Sequence, residues 1–144
     1  MNIFLFIHLI ALGIWAGCVL TEVMLELVLE KLPPESSNLA RLHAMIDRFV
    51  EIPAILLVAI TGGMLLQSAY WDTLLQVKVG LGVTAVFLNT VAAFTVQRRY
   101  QSLLSGNEQG YDFWNLWHER TGIGCVLSIT GAIVVGGYRL VGAG

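Results

Sequence analysis

Four long apolar runs separated by polar stretches set the plan of the chain. They cover roughly residues 2–25, 49–69, 74–96 and 121–141. Each approaches the ~20 apolar residues a helix needs to cross a bilayer. A chain in lipid must satisfy its backbone polar groups internally, so runs of this kind are helices. Turn signals fall between them: Pro33-Pro34 and Ser36-Ser37-Asn38, then Tyr70-Trp71-Asp72, then Gly106-Asn107 inside a polar stretch over 98–117. Pro53 stands early in the second run, where it begins or kinks the helix. The pattern predicts an all-α integral membrane protein: a four-transmembrane-helix bundle forming a single domain over residues 1–144.

Composition supports that plan. Of 144 residues, 56% are hydrophobic and 12% charged, and mean hydropathy is +0.74. A soluble domain carries about twice that charge fraction. A net charge of −2 with eight basic residues offers no nucleic-acid patch. Cys18 and Cys125 lie in apolar segments, without the spacing of a zinc or disulfide framework. The first run lacks a basic leader and exceeds the apolar stretch of a signal peptide, so it reads as a retained span. Lys31, Arg41, Arg48, Arg98, Arg99 and Arg120 flank the first and third connections, against Lys78 and Arg139 on the other side. The imbalance predicts cytoplasmic long loops and both termini on the outer side, as in a bacterial inner membrane. Trp71 at one end and Trp114 and Trp117 at the other fit interfacial belts. Gly13 and Gly17 form a small-residue pair of the kind used within a bundle or in a homodimer.

The few polar residues inside the spans carry the candidate chemistry, since an ionisable group there is costly and marks a site. His8, Trp15 and Glu22 recur every seven residues on one face of the first helix. His8 lies about 9–10 Å into its span and Lys78 about 6–8 Å into the third, from the same side. Asn89, eleven residues after Lys78, shares its face. Towards the other side, His43, Asp47 and Glu51 recur every four residues, with Arg48 spaced to pair with Glu51. Glu22, Glu26 and Glu30 form an acidic stripe, and His118, Thr121, Cys125 and Ser128 a polar one. Imidazoles on facing helices suit a heme iron; with carboxylates they suit a divalent metal. The Glu-x-x-His spacing of di-iron bundles is absent. The bland alternatives are an interhelical hydrogen bond for His8, snorkelling for Lys78, core packing for Trp15 and solvated helix ends for the acidic residues.

An ordered set of residues resembles the HemJ family of four-helix membrane proteins and, more loosely, the CopD-like superfamily. It comprises His8, Trp15 and Gly17; Arg41-Leu42 and Ile46; Pro53 and Thr61-Gly62; and Trp71 with Lys78-Val79, over about the first eighty residues. The resemblance implies heme b, protoporphyrinogen IX oxidation, His8 as an axial ligand and Lys78 as a catalytic partner.

Two hypotheses of function follow, with a third of another kind. The first is a heme b redox protein in the bilayer, with iron ligands drawn from His8, His43 and His118, Trp15 as a pocket wall, and a quinone or porphyrinogen as electron partner. The second is a metal or proton transporter subunit with a pathway through Glu22, Asp47 and Glu51. The third is a structural assembly subunit whose polar residues hold helices together.

Overall fold

The computed structural model describes residues 2–29 and 37–142. Five helices follow one another: α1 (Ile3–Leu29), α2 (Ser37–Ile46), α3 (Ile52–Leu66), α4 (Thr73–Leu104) and α5 (Glu108–Gly142). A π-helical turn, Asp47–Glu51, joins α2 to α3 without a break in the rod. Four helical rods result, each long and apolar enough to cross a membrane. Glu30, Lys31, Pro33-Pro34 and Ser36 lie outside the described residues.

The rods extend further than hydropathy predicts. Helix α2 begins at Ser37 rather than near residue 49, and α5 begins at Glu108 rather than near 121. The stretch over 98–117, expected as a loop, is helical except for a reversal of three residues. Hydropathy marks the lipid-facing length of a helix. Here the polar ends continue as helix because their polar side chains bury against one another. Gly106, at φ +67°, is the residue that permits the reversal. Its N–H reaches the Leu103 carbonyl while the Asn107 N–H reaches that of Ser102, at 2.9 Å. This pairing closes α4 as a Schellman motif. The Asn107 side chain then accepts from the Gly110 N–H at 2.9 Å and starts α5. At the opposite end Asp72 caps α4 by accepting from the Leu75 N–H at 2.7 Å. Arg139 of α5 donates to the Tyr70 carbonyl at 2.9 Å, fastening the α3–α4 turn.

Large apolar side chains point outward, among them Leu20, Met24, Leu56, Phe87 and Leu127. The interior is made of smaller ones with a single large ring: Ala11, Trp15, Val19, Ala54, Val58, Ala85 and Cys125. That distribution suits lipid, where close backbone approach replaces the hydrophobic drive between helices. Helices α4 and α5 show it in their seam. Leu88 lies over Gly124 and Leu81 over Gly131, seven residues apart on both helices of the antiparallel pair. A Cβ at Gly124 would stand 2.8 Å from Leu88 Cδ1. Gly13 and Gly17 are exposed, and a Cβ at either meets nothing.

Candidate functional site

The polar interior is arranged in three layers along the bundle axis. Near the α3–α4 turn, a cavity of about 720 Å³ opens between α1, α3, α4 and α5. Its walls are mostly apolar, and the polar groups reaching it include His8, Lys78 and Arg139. The expected co-location of His8 with Lys78 is therefore present. Thr61 is a partner that sequence reasoning passed over. His8 Nδ1 is 2.9 Å from Thr61 Oγ1, which itself donates to the Leu57 carbonyl. With its hydroxyl proton committed, Thr61 accepts from His8 Nδ1–H. Nε2 then keeps a free lone pair as the ring nitrogen available to a ligand. Glycines shape the cavity beside both residues. A Cβ at Gly62 would stand 3.3 Å from His8 Cε1, and one at Gly136 would stand 3.0 Å from Lys78 Cε.

The middle layer closes the bundle. Trp15, 1% exposed, donates from Nε1 to Asn89 Oδ1 at 3.1 Å. The Cys125 thiol reaches the same oxygen at 3.0 Å. Ala85 and Val58 pack around this node. Trp15 lines the cavity above and belongs to the core below.

The third layer, towards the α4–α5 turn, gathers the remaining ionisable groups. His43, Asp47 and Glu51 are all buried to about the same extent, at 0%, 1% and 1% exposure. Four α-helical steps overshoot a turn by about 40°, so Glu51 would drift about 80° round from His43 in a regular helix. The wider π-helical turn over Asp47–Glu51 takes back part of that drift. Pro53, second in α3, explains its position: proline has no N–H to offer the preceding turn. Arg48 does not pair with Glu51, contrary to the spacing rule. It is exposed and lies over the Phe49 ring at 5.7 Å.

Arg99, one of the cations that flank the third connection in the sequence, lies inside the bundle. It is 3% exposed and grips Glu26 with both terminal nitrogens, the Nη1–Oε2 bond being 2.8 Å. Nη1 also donates to Asn115 Oδ1 at 2.7 Å. Its face was legible: Asn89, Ala92, Val96 and Arg99 follow 3-4-3 spacing, and all are buried. Glu26 Oε1 sits at the centre of the layer, 2.9 Å from His43 Nδ1 and 3.5 Å from His118 Nε2. The two imidazoles meet edge to face, with centroids 5.4 Å apart. That spacing suits a compact ion better than a porphyrin plane between the rings. On the acidic side of His43, ligand atoms of Glu22, His43 and Asp47 lie within 4.8 Å of one another. The polar stripe expected on α5 is buried throughout, from His118 and Thr121 to Cys125 and Ser128.

No protein-family model, curated protein or solved structure matches the chain.

Proposed function

We propose that the chain is an integral membrane redox protein that would hold heme b in the cavity beneath the α3–α4 turn, with His8 as a ligand to its iron. The observation that carries this reading is the state of the His8 ring. Thr61 occupies Nδ1 and leaves Nε2 for iron, the arrangement by which a second partner orients a ligating histidine and fixes its tautomer. The cavity's size falls in the range of small-molecule sites, roughly 300–1,000 Å³, and its walls are apolar enough for a tetrapyrrole. Lys78 and Arg139 supply cationic groups for the propionates, or for the carboxylates of a porphyrinogen substrate bound from the lipid. Trp15 forms the floor and keeps the cavity apart from the polar layer below.

A bound heme supplies one-electron transfer between ferric and ferrous iron. The chain's own residues hold it, exclude water and orient a quinone or porphyrinogen as electron partner. The ordered residues resembling the HemJ family support the same assignment, with Lys78 as the catalytic group. Arg41, Arg48, Arg98 and Arg120 are exposed towards the α4–α5 end, which favours that end as cytoplasmic and both termini as outer, in a bacterial inner membrane. The transport reading draws on the buried acidic cluster, but the Trp15–Asn89–Cys125 node lies across any path from it to the cavity.

The test is the absorption spectrum of protein purified in mild detergent, before and after dithionite. The expected result is a Soret band and, on reduction, sharp α and β bands. A colourless protein that gains no such bands when heme is supplied refutes the proposal.

A further inference from the structure

We infer that Glu22, His43, Asp47 and Glu51 form a second, independent site that binds one divalent transition-metal cation. A cluster of acids is not enough for such a claim; the state of His43 is what points to a ligand. His43 is 0% exposed, and its Nε2 has no hydrogen-bond partner among the described residues. It stands 3.5 Å from Asp47 Oδ1. Both oxygens of Asp47, 1% exposed, are likewise without partners, as are Oε1 of Glu22 and Oε1 of Glu51. Buried polar atoms are rarely left in this state, and those of Glu22, His43 and Asp47 converge from α1, α2 and the π-helical turn. Ligand atoms of Glu22, His43 and Asp47 lie within 4.8 Å of one another, and Glu51 is buried one turn further along the same rod.

The other side of His43 is built as a support. Glu26 Oε1 is 2.9 Å from Nδ1, and Arg99 holds the Glu26 carboxylate in place with two bonds. Arg99 Nη2 also stands 3.3 Å from Nδ1, a longer contact from a group already spent on Glu26. The shorter contact sets Nδ1 as the protonated nitrogen and turns the Nε2 lone pair towards Asp47. A carboxylate behind a histidine whose other nitrogen faces open donors is the pattern of a metal-ligating imidazole. Arg99 is engaged with Glu26, so three further carboxyl groups share the layer with no guanidinium or ammonium of their own, and a bound divalent cation would take the place of the protons that otherwise neutralise them. One imidazole and three carboxylates make a donor set of intermediate hardness, suited to Mn²⁺, Fe²⁺ or Zn²⁺ and lacking the sulfur donors preferred by Cu⁺. The π-helical turn has a role here, since it brings Asp47 and Glu51 back towards the His43 face.

Full-length protein purified in detergent, stripped with a chelator and offered one equivalent of Zn²⁺ or Mn²⁺, tests the site by metal analysis after gel filtration. One ion per chain is expected. Asp47→Asn and Glu51→Gln should each lose it while retaining the helical circular-dichroism spectrum. Glu26→Gln should weaken affinity about 10–100-fold by releasing the support of His43. His8→Ala should keep the ion in full, which separates this site from the heme cavity. If the wild-type chain retains neither metal, or if the ion survives both Asp47→Asn and Glu51→Gln, the inference is wrong.

Discussion

Replacing Arg99 with Gln removes the only guanidinium that the described residues place in the polar layer between α1, α2, α4 and α5. The side chain is 3% exposed and forms two bonds to Glu26 and one to Asn115. Breaking a buried ion pair from one side costs about 3–5 kcal/mol, because the surviving charge is left without compensation. Two features reduce that here. Glu26 is still 23% exposed, and its Oε1 still accepts from His43 Nδ1–H at 2.9 Å. The expected loss is therefore about 2–4 kcal/mol. Glu26→Gln alone should cost less than Arg99→Gln, because the guanidinium keeps Asn115. The double variant should recover part of the summed loss, with a coupling of about 2 kcal/mol. Unfolding in mixed micelles with increasing SDS, followed by circular dichroism, gives the free energies. A loss below about 1 kcal/mol for Arg99→Gln, or additive single costs, would refute a structural ion pair in this layer.

Two further outcomes follow from the helix contacts. Trp15→Phe keeps the ring but drops the 3.1 Å bond to Asn89; it should cost about 1 kcal/mol, since the Cys125 thiol still occupies Asn89 Oδ1. The same unfolding assay measures it, and a cost above about 3 kcal/mol would mean the indole does more than fill space and donate. Asp72→Ala removes the cap of α4 and should destabilise by about 1 kcal/mol, while Asp72→Asn, which keeps the accepting oxygen, should be near neutral. Equal losses for both variants would assign the effect to the 3.3 Å pair with Arg139 instead.

The helices were legible in the sequence because lipid leaves a chain so few options. Runs of apolar residues, Asp72 before a span and Gly106-Asn107 as a reversal all appear as they read. The placement of His8 with Lys78 in one layer followed from depth counting alone. The helices run past the apolar runs because Arg99 and His118 meet Glu26 across the bundle, a partnership that hydropathy does not reveal. The π-helical turn was invisible for a related reason. Pro53 announced a perturbed helix, but the widening depends on how the preceding residues pack. Thr61 was read only as part of a Thr-Gly step, since nothing local in the sequence points its hydroxyl at an imidazole 53 residues away.

His8, rather than His43 or His118, is the proposed ligand of heme iron. The most direct measurement is the dithionite-reduced spectrum of His8→Ala beside that of a His43→Ala/His118→Ala double variant, each purified in the same detergent. Loss of the α and β bands in His8→Ala, with the bands intact in the double variant, is the predicted result. An unaltered spectrum in His8→Ala, with the bands lost from the double variant, would contradict it.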